Sequence, residues 1–163
     1  MLADDSAVES VVFGSASASS GGVIGGGVAM SLAKGAIHIS SSTISVALSE
    51  KMAAAHAASG QRFVSAPVFG RPEAAAAAKL FVTVAGAPDA VDDCMPLFEA
   101  IGQKTFRFGD NPPDANLVKL SGNFLISSVI EALGEAMALV GKSGLDLHQY
   151  VDFLTSTLFD APV

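Results

Sequence analysis

The chemistry this sequence could perform is concentrated in residues 116–125, NLVKLSGNFL, where one lysine stands in a segment otherwise suited to burial. Counting in fours from Lys119 gives Asn123, Ser127, Glu131 and Glu135, all polar. Residues four apart lie nearly above one another on a helix, so these five form one narrow stripe. Val118, Leu120, Phe124, Val129, Ile130 and Leu133 flank it. A lysine partly desolvated in a cleft has a lowered pKa and can exchange a proton near neutral pH. Asn123 offers both a donor and an acceptor and can hold a substrate oxygen beside the ammonium. Gly122 leaves room there for a ligand or a neighbouring backbone. The same pattern also suits a thin solvent-facing line with Lys119 snorkelling at its end, and the pattern alone leaves both readings open.

Other reactive residue types are scattered. His38 falls in a strand, His56 on a polar helix face and His148 near a helix start, with no metal-ligand spacing, so no metal site is expected. No serine sits in a G-x-S-x-G turn. Gly22, Gly25 and Gly27 lack the preceding strand and the G-x-G-x-x-G spacing of a dinucleotide-binding turn, and read as linker. Asp89, Asp92 and Asp93 read as solvated helix charges, and Phe106 and Phe108, alternating with Arg107, as core-facing. Cys94, the single cysteine, reads as a small buried apolar group. One cysteine forms no internal disulfide, which fits a reducing cytoplasmic setting.

The 163 residues are enough for one domain, or one domain and part of another. Half are apolar and 15% charged, the composition of a globular chain. A net charge of −7 argues against non-specific binding to nucleic acid or to anionic membranes. No apolar run reaches the ~18–20 residues that span a bilayer, and no basic segment followed by an apolar one marks a signal peptide at the start.

The elements that must position the stripe follow in order. MLADDSAVESVVFG suits a short amphipathic helix with Ala7, Val8, Val11 and Val12 on one side. Residues 14–35, rich in glycine and serine, read as a linker. AIHIS reads as a strand, and STISVALSEKMAAAHAASG as a helix capped by Ser42 or Thr43 and ended by Gly60. RFVSAPV reads as a strand, RPEAAAAAK as a short helix opened by Pro72, and LFVTVAG as a strand. PDAVDDCMPLFEAIG reads as a helix that Pro96 bends or divides, and KTFRFG as a strand. Such alternation predicts an α/β layer with a largely parallel sheet over residues 1–111. From about 116 to 140 only Gly122 and Gly134 interrupt a helix roughly 35–40 Å long. Another helix begins near Asp146, so residues 112–163 read as a long helix and the start of an all-helical domain.

Taken together, these pieces resemble the β-hydroxyacid dehydrogenase family, the group of 3-hydroxyisobutyrate and 6-phosphogluconate dehydrogenases with related semialdehyde and imine reductases. Met1-Leu2, Asp5 and AVESVVFG are similar to that family's segment at the end of its fourth strand. HISSSTIS resembles its D-x-S-T strand end, matching at Ser42 and Thr43, and SAPVFGRPEAAAAAKLFVTVAG its D-A-P-V-S-G-G…V-G-G segment. NLVKLSGN resembles the segment with its catalytic lysine and, four residues on, its substrate-binding asparagine, and EALGEAMALVGKSGLD the continuation of its interdomain helix.

The resemblance implies the second half of a Rossmann-like fold, a long interdomain helix and the start of a helical domain. It implies NADP or NAD at the strand ends, touched by the backbone of Leu2 and by Ser42 and Thr43. Lys119 would be the acid/base and Asn123 would orient the reacting oxygen of a small hydroxyacid or carbonyl substrate. The family's substrate-binding serine and second glycine are Phe69 and Arg71 here, on either side of Gly70, and its aspartate is Ser40. Arg71 could pair with a carboxylate or point to water. Phe69 could line a more apolar pocket or fill the core. The family's opening strand and G-x-G-x-x-G turn are absent from this sequence. The resemblance therefore implies an internal piece of such an enzyme that alone binds cofactor weakly or not at all. A homodimer through the long helix is also implied. The alternatives are an inactive remnant serving only as a dimerising module, and an imine-reductase-like enzyme.

Overall fold

The computed structural model describes residues 1–14 and 26–159. It divides into two compact units, residues 1–121 and 122–163, with the boundary inside one helix. Gly22 and Gly25 lie outside the described residues, as does half of the expected linker.

The first unit opens with α1 (Asp5–Phe13), whose first turn is capped by Asp4 accepting from the Ala7 amide at 2.8 Å. Val8 and Val12, four apart, are its buried residues. A short helix α2 (Val28–Ser31) occupies part of the expected linker and buries Ala29. Then come β1 (Ile37–Ser40), α3 (Val46–Ala58), β2 (Arg62–Ser65), β3 (Val68–Phe69), α4 (Pro72–Ala76) and β4 (Leu80–Gly86). α5 (Pro88–Ile101) and β5 (Gly102–Arg107) follow, and the long α6 (Pro113–Lys142) crosses into the second unit. The cap of α3 is Ser45, not Ser42 or Thr43: its hydroxyl oxygen accepts from the Leu48 amide at 3.1 Å. Pro96 does not divide α5. Cys94 and Phe98 on either side of it are both buried, and that packing outweighs the one amide lost.

The sheet is mixed rather than largely parallel. β1 pairs with β2 and β4 with β5 in parallel, whereas β4 runs antiparallel to both β2 and β3. Connector length explains the difference. α3 and α5 sit in connections long enough for a parallel crossover, but only residues 70–79 join β3 to β4. A parallel return needs a dozen residues or more, so this chain folds straight back. β2 and β3 share one register against β4, with Val64 opposite Gly86 and Val68 opposite Val82. Pro67, which has no amide hydrogen, interrupts the strand between them while its carbonyl accepts from Thr83 at 2.9 Å.

Two cores sandwich the sheet. Val64, Val82 and Val84 pack with Ala90, Val91, Cys94 and Phe98 of α5. Phe63, adjacent to Val64 and thus on the opposite face, packs with Val8, Val12, Leu48 and Met52 of α1 and α3. The result is the α/β layering expected.

The second unit holds the remainder of α6 and α7 (Leu147–Ser156), capped by Asp146. Leu154 of α7 is buried, and Tyr150 and Leu154 line a concavity with Val129, Leu133 and Ala136 of α6. An 18-residue window of α6 reaches a mean hydropathy of 1.6, enough by length and composition to cross a membrane. This corrects the expectation that no apolar run is long enough to span: the charges in that window are too few to lower its mean hydropathy below that of a spanning helix.

Candidate functional site

Lys119 is positioned by the first turns of α6. Ala115 and Asn116 are buried there, and the Ser65 hydroxyl of β2 donates to Asn116 Oδ1 at 2.5 Å. This bond locks the rotation of α6 against the sheet. Three residues on, Lys119 is half-buried, with Nζ 3.8 Å from the centre of the Phe69 ring on β3. That distance is a close cation–π contact. Among the described residues no carboxylate pairs with this amine. Burial lowers its pKa from the usual lysine value, and no counter-charge restores it.

Phe69 also belongs to an aromatic face. It stands opposite Phe81 in the β3–β4 ladder, and Phe81 and Phe106 have ring centres 6.3 Å apart. With Thr83, Phe108 and Val118 they line an apolar concavity of about 400 Å³. Phe106 and Phe108 therefore do not face the core as expected; they are 37% and 41% exposed. The register decides this. Val82 faces α5 with Thr105 beside it, and Val84 does so beside Arg107, so Phe106 falls on the opposite face beside Thr83. Arg107 instead reaches Asp92 of α5 at 2.6 Å, and Arg62 reaches Asp93 at 2.6 Å and Asp89 at 3.4 Å. These acids are exposed, but each is paired.

The other residues singled out from the sequence lie as follows. Gly70 is exposed and turns the chain into α4 at φ +145°, a conformation that favours glycine. Arg71 is exposed, precedes Pro72 at the start of α4 and makes no ion pair among the described residues. Asn123 is half-buried on α6, four residues beyond Lys119 and within the second unit. Ser127, Glu131 and Glu135 line an open concavity with Phe124 and Ala132, all from one face of α6.

At the end of β1, the Leu2 amide donates to the Ser42 hydroxyl oxygen at 2.9 Å, while Thr43 is exposed. Leu2, Ser40, Ser41, Ser42 and His38 border a concavity of about 270 Å³. Val8, Val11, Val12 and Val28 complete its lining, so hydroxyls and apolar side chains meet there. No lysine or arginine borders the concavity to meet a pyrophosphate.

Sequence reasoning missed a buried relay. His56 is fully buried, not on a polar face, and lies on the 48–52–56 line of α3 with Leu48 and Met52. That spacing of four was the signal available. Gln61 Nε2 donates to the carbonyls of Ala29 and Leu32 at 3.0 and 2.7 Å, so its Oε1 is the acceptor 2.6 Å from His56 Nδ1. His56 Nε2 must then accept from His38 Nδ1, 2.8 Å away. Burial, with His56 beside it, lowers the His38 pKa from 6.5 to about 4. Among the described residues no three His, Cys, Asp or Glu side chains gather as a metal site would require.

Comparison with known proteins gives a consistent answer. The sequence model of one family, the NAD binding domain of 6-phosphogluconate dehydrogenase, matches residues 1–109. An uncharacterized oxidoreductase of Bacillus subtilis, YfjR, is 44% identical over the whole chain, which covers 53% of that relative. Glyoxylate/succinic semialdehyde reductase 1 of Arabidopsis thaliana is 31% identical over 94% of the chain and 50% of its own length. A crystal structure of 3-hydroxyisobutyrate dehydrogenase from Salmonella typhimurium superposes with a TM-score of 0.78 at 29% identity, covering 96% of this chain and 50% of that one. The chain thus spans about half the length of the curated relatives it matches.

Proposed function

This chain belongs to the family of the NAD-binding domain of 6-phosphogluconate dehydrogenase, and from that premise we propose that it serves an NAD(P)-dependent oxidoreductase of the β-hydroxyacid dehydrogenase type. A nicotinamide cofactor, when bound, supplies or takes up the hydride. Lys119 gives a proton to the substrate oxygen in the carbonyl direction and takes it from the hydroxyl in the other. Asn123, four residues along the same helix, orients that oxygen by donating its amide hydrogen. Leu2, Ser42 and Thr43 hold the cofactor's ribose, while Phe69, Gly70 and Arg71 border the substrate. The single observation that carries this reading is the half-buried Lys119 amine, its pKa lowered and no carboxylate paired with it. An ammonium kept only for solubility would be solvated at its ordinary pKa.

Support for the partner comes from α6. Phe124, Leu125, Ile126, Ile130 and Leu139, spread around much of the helix, are all more than half exposed, apolar surface that a second copy of the chain could cover. A dimerising module without activity shares that observation.

The test is turnover of the intact protein with NADPH and with NADH over a panel of small hydroxyacids and their carbonyl counterparts. Lys119→Ala is expected to cut turnover about 100- to 10,000-fold with cofactor affinity within a factor of about two. Equal turnover in the variant would end the acid/base assignment, and no turnover in the wild type would favour the inactive module.

A further inference from the structure

We propose that the aromatic face beside Lys119 holds a neutral, apolar substituent of the substrate, an aryl or branched-alkyl group on the carbon that bears the reacting oxygen. The proposal deepens the reading of Lys119 as acid/base and rests on it. Phe69 is the link, because its ring both carries the Lys119 amine and forms a wall of the apolar concavity. A substrate oxygen placed at Nζ would lie one ring away from the wall that Phe69 forms with Phe81, Phe106 and Phe108, within reach of a substituent that passes the edge of Phe69.

The lining excludes charge. It contains no ionisable side chain, and its one hydroxyl, on Thr83, donates to the Pro67 carbonyl at 2.8 Å. A carboxylate lodged there would exchange water for aromatic rings, with no hydrogen-bond donor among the lining side chains free to receive it. The ammonium groups of Lys119 and Lys104 rest against the rings of Phe69 and Phe106, at 3.8 and 4.7 Å, rather than lining the concavity. Three neighbouring aromatic side chains, each more than a third exposed, are unusual on a sheet face that nothing is meant to cover. The volume, about 400 Å³, falls in the range of small-molecule sites and suits a phenyl or branched-alkyl group. A hydroxyacid would have to turn its carboxylate away from this face.

The experiment is an NMR titration of the 163-residue chain, with ¹³C-labelled phenylalanine rings and lysine ε-carbons. The probes are 4-phenyl-2-butanone and 3-hydroxybutyrate. The ketone is expected to shift the Phe106, Phe108 and Lys119 signals saturably, and 3-hydroxybutyrate to leave the ring signals in place. Phe106→Ser, a change at an exposed edge-strand position, should weaken the ketone about tenfold while the remaining spectrum is retained. Ring shifts of equal size from the hydroxyacid, or none from the ketone, would overturn the proposal. So would ring signals that move with protein concentration instead of with ketone, since a second copy would then cover the face. A pH titration of the Lys119 ε-carbon in the same sample separates the two readings. A lowered midpoint without ketone binding removes this proposal alone. An ordinary ammonium midpoint removes the acid/base role and with it the substrate placement argued here.

Discussion

Lowering the pH from 7.5 to 4.5 should cost the first unit about 2 kcal/mol of stability through His38 alone. In the folded chain His38 gives its Nδ1 hydrogen to His56, and burial holds its pKa at about 4 against 6.5 when unfolded. The folded pKa is the lower one, so the unfolded chain takes up the proton first as pH falls. The stability this group protects is complete above pH 6.5, is lost as pH falls toward 4, and changes no further below that. One proton corresponds to about 1.4 kcal/mol per pH unit where the two states differ fully, and integration to pH 4.5 gives about 2.5 kcal/mol. Partial solvent access to the ring trims this to about 2 kcal/mol. Urea unfolding followed by circular dichroism at 222 nm, at half-unit pH steps, measures it. Surface carboxylates titrate in the same window, so the reference is His38→Asn, whose amide can still donate to His56 but does not titrate. The wild type should lose about 2 kcal/mol more than the variant between pH 7.5 and 4.5. Parallel curves, agreeing within about 0.5 kcal/mol throughout, would refute the buried neutral relay.

Two further predictions concern packing. A methyl group on Gly27 would collide with the Val11 and Val12 carbonyl oxygens, so Gly27→Ala must push α2 from α1, at a cost of about 1–3 kcal/mol in urea unfolding. Ser65→Ala removes the hydroxyl that donates to Asn116 Oδ1, and among the described residues the buried Asn116 Nδ2 already has no partner. It should cost about 1–3 kcal/mol and shift the Lys119 ε-carbon signal, whereas Ser65→Thr, which keeps the hydroxyl, should restore most of both.

The structure also bears on Phe69 and Arg71, the positions at which the resemblance led one to expect a serine and a glycine. Phe69 is half-buried, lines an apolar concavity and lies against the Lys119 amine. Arg71 is exposed at the start of α4, where it can meet solvent or an anion. A site that replaces a hydroxyl by a phenyl ring favours apolar contact over carboxylate binding, which is the direction taken by the proposed substrate.

Much of this protein was legible from residue order alone. Proline at the start of α4 and α5, Gly60 after α3, and β-branched residues in the strands located most elements, because those preferences act within a turn or two of chain. The lysine of interest was also legible, since a lone cation on a narrow polar stripe is a local pattern. Sheet direction was less so: the short connector at residues 70–79 was visible, but its consequence depends on where β4 finds β2 and β3. The relay of His38, His56 and Gln61 joins residues up to 23 apart in sequence, and the Ser65–Asn116 bond spans 51. Neither spacing carries a periodic signal. The orientation of Phe106 and Phe108 likewise depended on strand register, because a shift of one residue would have exchanged them with Arg107. Local sequence chose the elements and the reactive amine. Only tertiary pairing decided which faces met, and hence that the amine rests on an aromatic wall without a counter-charge.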